Sequence, residues 1–331
     1  MPPISEKGYE VVPSNTRMFL QFGPCTTNYF MYSNISFSVE KRLKSNSTTK
    51  STAVIVILLL LGSLSAAITT PFKQVAYAHT FTGDESASFL SVIRILQAEA
   101  NLVQTNLATN LSLAQEHGKS IVGIVNANHT FGILPNEVSE NNKRVAADIV
   151  RAANALQTAV KSNPSPKQAD VKAKIDNLNA TLQEAIAVRV PKDHVSNSTI
   201  NGEATKDLVN ETLRQYGYAF GISSAYRGNT SNTNSSASAT PGAAQSRNTV
   251  LNMSGYQSAH ALALQAQGVL TETKSLLPTN ATSATTSTIA KVGNDLSQLK
   301  NSIDSKSPYS NVASVVQKII YPDLDGAFRL K

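Results

Sequence analysis

The chain has 331 residues, a formal net charge of +7, a single cysteine and no tryptophan. Seven of the 29 Lys and Arg and three of the 22 Asp and Glu precede His79, so the rest carries a net charge of about +3, which excludes a phosphate-binding surface and a nucleic-acid partner. Because Cys25 lies upstream of the apolar segment described next, neither disulfides nor a cysteine zinc site is expected beyond it.

An export signal is the first predicted element. Residues 53–68 read AVIVILLLLGSLSAAI, with several Lys and Arg before them and Ala76-Tyr77-Ala78 after them. A basic segment, an apolar segment and a small-x-small site together predict cleavage between Ala78 and His79. The apolar stretch is shorter than the roughly twenty residues that span a bilayer. An uncleaved anchor over residues 53–70 is the alternative, and in both cases the positive-inside rule places the following residues outside the cytoplasm.

The segment before the signal is long for a signal peptide. Met18 and Met31 would each give a more conventional leader, so a mis-assigned start is one interpretation, and we ascribe no function to this extension. The sequence divides into an N-terminal extension (1–52), a signal or anchor (53–78), a helical bundle (79–221), a disordered Ser/Thr/Asn-rich linker (222–249) and a C-terminal helical segment that packs on the bundle (250–331).

Five helices are predicted before the linker, because apolar residues recur there at steps of three and four. Thr82 and Glu85 have the spacing of a capping box at the start of the first helix. The predicted buried stripes are Phe89, Ile93, Leu96, Ala100, Val103 and Leu107; Leu113, His117, Ser120 and Ile124; Val138, Asn142, Val145, Ile149, Ala152, Leu156 and Ala159 in one helix after Pro135; Val171, Ile175, Leu178, Leu182 and Ile186 after Ser165-Pro166; and Val209, Leu213, Tyr216 and Phe220 in a helix from about Ala204.

Three further helices are predicted after the linker, over about 259–276, over 289–303 and after Ser307-Pro308, where Val312, Val316 and Ile319 form the stripe. No alternating run of β-branched residues interrupts these patterns, so strand content near zero is expected. The predicted fold is therefore all-α: an up-and-down antiparallel bundle of about seven to eight helices plus the N-terminal signal or anchor helix. Similar spacings around the two Ser-Pro pairs suggest two related halves; two independently capped hairpins are the alternative.

Histidines supply the candidate metal ligands. Cleavage after Ala78 would leave His79 at the N-terminus, where its free amine and imidazole can chelate one ion, and such nitrogen ligands suit Cu(II). His117 and His260 are the other candidates, although each lies on or beside an apolar helix face, where a hydrogen-bonded structural histidine is commoner. No sequence spacing brings these three residues together, and no other cofactor is expected.

Catalytic signatures are missing from the sequence, which contains no HExxH, no GxSxG and no GxGxxG in a strand-turn-helix setting. Sequons Asn-x-Ser/Thr recur along the exported part, and Asn229 and Asn234 in the linker are the best candidates for N-glycosylation. The alternative explanation is that the sequons arise by chance because the sequence is rich in polar residues.

The stretch AYAHTFTGDESASFL, followed by a long helix rich in Ala, Asn and Gln, resembles the leader and first helix of uncharacterised secreted proteins of ammonia-oxidising archaea. That resemblance implies a secreted helical protein and no particular activity. A looser similarity connects the chain with imelysin-like extracytoplasmic helical bundles. Their GxHxxE motif is missing here, so their metal binding is not transferred to this sequence.

These observations predict an exported, non-enzymatic helical-bundle protein for binding or structural interaction at the cell surface. Its partner would be an unidentified protein or cell-envelope component, with membrane contact only through an uncleaved N-terminal segment. A copper-binding protein that uses His79 and an unrecognised hydrolase are the alternatives. An apolar groove between the two halves would favour the interaction protein, whereas a convergent set of buried polar groups in a deep pocket would count against it.

Overall fold

The computed structural model describes residues 79–162, 165–222, 249–277 and 282–330. All of them belong to one compact unit of the chain, Gln74–Lys331. The predicted signal with Ala78, and the linker with Asn229 and Asn234, lie outside the described residues. Within the described ranges, no helix is both long and apolar enough to cross a membrane.

The described residues confirm an all-α protein. One short antiparallel hairpin is the exception; it pairs Asn128 with Ile133 and His129 with Gly132. The elements in chain order are α1 Gly83–Leu107, α2 Leu111–Val125, β1 Asn128–His129, β2 Gly132–Ile133, α3 Leu134–Asn141, α4 Lys143–Val160, α5 Gln168–Arg189, α6 Lys192–Val195, α7 Ser198–Ala219, α8 Met253–Ser275, α9 Ser283–Asp304, α10 Tyr309–Val315, a π-helical turn Val316–Ile320 and α11 Tyr321–Phe328.

Polar side chains fix where the helices begin. The capping box at α1 is confirmed, because Thr82 Oγ1 accepts the Glu85 N–H while the Glu85 carboxylate accepts the Thr82 N–H. Asparagine residues cap three other helices. The side chains of Asn110, Asn197 and Asn252 accept backbone N–H groups at the starts of α2, α7 and α8. Each such cap satisfies N–H groups that a helix leaves unpaired.

Three predicted helix limits were wrong. The stripe over 138–159 belongs to two helices, α3 and α4, because Asn142 adopts an extended conformation and caps Arg144 and Val145. Helix α5 begins at Gln168 rather than at Ser165-Pro166, and no side-chain hydrogen bond caps it. Helix α7 begins at Ser198, earlier than predicted, because Asn197 caps it there.

Two hydrophobic cores share their helices. The first core contains most of the buried apolar residues of α1 to α5, together with Ile200 and Ala204 of α7. The second core contains the later buried residues of α7, the buried faces of α8 to α11, and Ala98 of α1. Helices α1 and α7 therefore contribute to both cores.

Helix α10, the π-helical turn Val316–Ile320 and helix α11 follow one another without a break, and together we call them the last helix. Its buried residues are spaced four apart; they are Val312, Val316, Ile320, Leu324 and Phe328. The predicted stripe residue Ile319 is only half-buried. Ile320 takes its place because an i to i+5 turn shifts the next core-facing position by one residue.

Candidate functional site

A buried hydrogen-bonded network links α1, α2 and α8. Glu99 of α1 is its centre: one carboxylate oxygen accepts the Ser258 hydroxyl at 2.6 Å and the other lies 2.8 Å from His117 Nδ1. His117 Nε2 lies 3.0 Å from Gln257 Oε1, and the Gln257 and Asn106 side-chain amides bond each other reciprocally. Glu99 and His117 are each about 1% exposed, so water does not compete for these bonds.

The network assigns the protonation state of His117. Asn106 Nδ2 donates to the Leu102 carbonyl at 2.9 Å, which fixes the orientation of the Asn106 amide. The reciprocal amide pair then presents Gln257 Oε1, an acceptor, to His117 Nε2. Because Nδ1 faces the Glu99 carboxylate, both ring nitrogens face acceptors and both must donate. With Glu99 as a carboxylate, this geometry favours the imidazolium form of His117.

The pKa of His117 agrees with this assignment. Burial acts most strongly and lowers the pKa, but the hydrogen bond and charge of Glu99, with help from Gln257, together raise it above its ordinary value. A buried charge is tolerated because its partner is charged, close and hydrogen-bonded.

An open cavity of about 630 Å³ adjoins this network, between α1, α2, α7 and α8. Its wall combines buried members of the network with exposed charged and polar groups. Glu116 and Lys119 of α2 line it without a partner among the described residues, and Arg214, which binds Glu211, faces it from α7. The other lining residues are Glu99, His117, Ser120, Gly123, Ile124, Ala127, Gln215, Tyr218, Asn252, Ser254, Gly255 and Ser258.

The cavity explains an error in the predicted stripe of α2. The core-facing residues of this helix are Ala114, His117, Gly118, Ile121 and Val125, and Ile124 packs partly buried against the same core. The predicted stripe is therefore confirmed at His117 and in part at Ile124, and it was wrong at Leu113 and Ser120. Two small residues, Ala114 and Gly118, belong to the buried face, and Gly118 lies close to the α4 backbone. Ser120 and Ile124 also line the cavity.

His79 lies in a separate group of charged side chains. Its Nδ1 is 3.0 Å from a Glu140 oxygen, and Nε2 is 3.7 Å from Glu85 and 3.8 Å from Glu137. The Arg189 guanidinium lies over the Phe81 ring at 3.7 Å. Its Nη1 donates to the His79 carbonyl at 2.6 Å. Nη2 contacts the His79 ring and the carboxylates of Glu137 and Glu140 at 3.0 to 3.3 Å.

The structure does not bring the candidate histidines together. His117 is buried against Glu99, His260 lies 3.1 Å from Asp304, and His79 has its own acidic partners. Of the two remaining histidines, His129 stacks on Phe131 and His194 lies 2.8 Å from the Ser86 hydroxyl. Within the described residues, His79, Glu137 and Glu140 form the one group of three His, Cys, Asp or Glu side chains with metal-like proximity.

Sequence reasoning missed the acidic and amide partners at both places. Glu99 lies one position before Ala100 of the α1 stripe and Gln257 precedes the stripe of α8, so each looks like an ordinary residue beside an apolar face. Glu137 and Glu140 lie one turn apart on α3, a spacing that places two carboxylates on one face. That spacing was the available signal, but nothing in it indicates the distant His79.

Comparison with known protein families, with curated proteins and with solved structures found no match to this chain. The resemblance to secreted archaeal proteins therefore remains a prediction.

Proposed function

We propose that the protein is an exported helical-bundle binding protein, and that the cavity between α1, α2, α7 and α8 holds a small polar, charged ligand. One observation carries this proposal: a fully hydrogen-bonded buried network forms part of the wall of a cavity of about 630 Å³. Cavities of this size with a few convergent polar groups are typical of small-molecule sites.

The charges of the wall indicate the class of ligand. Glu116 and Lys119 have no protein partner among the described residues, so an acid and a cation are both available to a ligand. The network keeps its own charges paired, because the His117 imidazolium is matched by the Glu99 carboxylate. These features favour a small molecule with charged and hydrogen-bonding groups over the apolar surface of a partner helix.

The geometry favours binding over hydrolysis. Ser258, Glu99 and His117 are chemically the residues of a nucleophilic triad, but here the carboxylate lies between the hydroxyl and the imidazole. An activated serine needs an acceptor nitrogen of histidine next to its hydroxyl. Both nitrogens of His117 donate elsewhere, so this arrangement supplies no imidazole base to Ser258.

A cavity whose wall carries charged side chains and a buried hydrogen-bonded network departs from the apolar groove expected of a module that binds another protein. We therefore propose that the protein binds a small ligand outside the cytoplasm rather than serving in interaction at the cell surface in general. The second candidate function is binding of a protein or cell-envelope partner by the exposed helix surfaces. The proposal includes secretion after cleavage at Ala78, with anchoring by residues 53–70 as the alternative. It also includes the antiparallel up-and-down order of the helices and the kinship of the two halves.

Thermal unfolding of the chain that starts at His79, with and without a panel of amino acids, carboxylic acids and sugars, tests the proposal. A ligand present at 100 times its Kd stabilises the folded state by about 2.7 kcal/mol. For a chain of this size the midpoint should rise by about 5 to 10 °C.

Two glycine variants then locate the ligand. A Cβ at Gly123, on the cavity wall, or at Gly326, in α11, meets no atom within 4 Å. Gly123→Trp should fill the cavity and abolish the ligand-induced rise in Tm, whereas Gly326→Trp should retain it. A rise that persists in Gly123→Trp would show that the ligand binds elsewhere.

A further inference from the structure

A second place in the molecule, the group around His79, has the geometry of a metal site. The candidate ligand atoms of His79, Glu137 and Glu140 all lie within 4.8 Å of one another. Two ligands bound to one metal ion at about 2.0 to 2.2 Å are about 2.9 Å apart when adjacent at right angles. The 3.0 Å between His79 Nδ1 and Glu140 Oε2 matches that separation.

The nitrogen that faces Glu140 is the one that an N-terminal histidine uses for chelation. Nδ1 and the α-amine of the same residue close a six-membered ring with a metal ion, whereas Nε2 points away from the backbone. Arg189 Nη2 lies 3.2 Å from Nδ1 and 3.0 Å from Nε2. Because these two distances are nearly equal, the guanidinium lies over the face of the imidazole ring. The lone pair of Nδ1 lies in the plane of the ring and therefore points away from the guanidinium.

The group also has more negative charge than its own cation neutralises. Three carboxylates, those of Glu85, Glu137 and Glu140, surround His79, and Arg189 forms ion pairs with the last two. Arg189 Nη2 lies within 3.3 Å of two of these carboxylates, those of Glu137 and Glu140. One guanidinium charge faces three carboxylates, so further positive charge would be stabilised here.

The fold holds this group in place. Arg189 is 3% exposed and is fixed by the Phe81 ring and the His79 carbonyl. Phe81 in turn packs against Phe89 of α1 and Phe131 of the hairpin. A site needs such support to keep its ligands positioned without an ion.

We propose that cleavage after Ala78 completes a site for one divalent transition-metal ion, with Cu(II) bound most tightly, from the α-amine and Nδ1 of His79 and the carboxylates of Glu140 and Glu137. Two nitrogens and two carboxylates suit a tetragonal Cu(II) centre, and the order of stability of divalent ions places Cu(II) above Zn(II). In both glutamates Oε2 is the oxygen that lies nearest His79 and also accepts from Arg189. A carboxylate oxygen has two lone pairs, so it can bind the ion and still accept that hydrogen bond. This inference goes beyond the proposed function and shares with it only the cleavage site.

The test is a CuCl₂ titration with glycine as the competing chelator, on the chain that starts at His79 and on one that retains residues 74–78. The longer chain keeps the imidazole, both carboxylates and the same compact unit, but its amine is displaced from His79. We expect it to bind Cu(II) at least tenfold more weakly. The electron paramagnetic resonance spectrum should show two nitrogen ligands in the short chain and should lose the amine contribution in the long one.

Three isosteric variants separate the carboxylates from the chelating pair. Glu140→Gln and Glu137→Gln should each weaken Cu(II) binding, Glu140→Gln by about tenfold, whereas Glu184→Gln, an exposed partner of Arg144 outside the group, should leave it unchanged. The proposal is overturned if both chain lengths bind equally, or if Glu140→Gln and Glu137→Gln both bind like the parent chain. Gly123→Trp should bind Cu(II) normally, so failure of the cavity proposal and failure of this one are distinguishable.

Discussion

At the scale of single residues, the sequence showed which side chains had chemistry but not which of them were neighbours. His117 was placed correctly on a buried face, yet its partner Glu99 lies on another helix and Gln257 lies on the far side of the linker. A hydrogen bond between residues that are 140 positions apart in the chain produces no periodic pattern in the sequence. The network around His117 could therefore not be predicted from spacing, although each of its residues was visible.

Asp207 of α7 is a half-buried acid, and it predicts a pH dependence of the stability. Its pKa is raised to about 6, first by burial and then by the charge of Glu203. Ser91 of α1 lies 3.4 Å away, Lys206 partly offsets the rise and Asp84 adds to it. The folded chain thus favours the protonated acid. This contribution to stability is fully present below the unfolded pKa near 4 and is lost as the pH rises through 6.

Replacing Asp207 by Asn should remove this loss. We expect the free energy of unfolding of Asp207→Asn, relative to the parent chain, to improve by about 1.4 kcal/mol between pH 5 and pH 8. Urea unfolding at both pH values measures it. Asp176→Asn, an exposed acid paired with Lys172, is the control and should show no such change. An equal response of the two variants would contradict the assignment.

At the scale of elements, periodicity located the long helices, and caps decided their limits. Apolar stripes placed α1, α5, α8 and α9 because large side chains mark their buried faces. The stripe of α2 misled because Ala114 and Gly118, which a pattern of large apolar residues passes over, lie on its buried face, while Ser120 and Ile124 line the cavity. A pattern that weights large apolar residues fails where helices approach closely or border a cavity.

The cap at Asn142 accounts for the break between α3 and α4 and can be tested directly. Its side-chain oxygen accepts the N–H groups of Arg144 and Val145 at 3.1 and 3.2 Å. Asn142→Ala should lower the free energy of unfolding by about 1 kcal/mol. Asn142→Asp keeps the acceptor and adds a negative charge at a helix start that carries Lys143 and Arg144, so it should match or exceed the parent chain. Urea denaturation compares the three chains; equal stability of Asn142→Ala and the parent would exclude the cap as the cause.

At the scale of the whole molecule, the two cores should unfold together. Helices α1 and α7 contribute to both, so loosening one core exposes apolar residues of the other. The tyrosines Tyr216, Tyr256, Tyr309 and Tyr321 lie in or against the second core. Their near-ultraviolet circular dichroism therefore reports on that core, whereas the far-ultraviolet signal reports on all helices.

Matched core variants test this coupling. Ile149→Ala in the first core and Leu296→Ala in the second remove fully buried side chains and should each cost about 2 to 5 kcal/mol. We expect both variants to shift the near- and far-ultraviolet unfolding midpoints by the same amount. A tyrosine signal that ignores Ile149→Ala would mean that the second core folds independently.

The even spacing of the last helix explains its wider turn. An α-helix advances about 100° per residue, so a core residue every four positions rotates away from its predecessor by about 40° each time. Between Val312 and Phe328 four such steps would accumulate about 160° and carry Phe328 to the opposite side. The π-helical turn winds more slowly and reverses part of that rotation at Val316–Ile320. Phe328 thereby reaches α7 at Gly202, where its ring occupies the place of a missing Cβ.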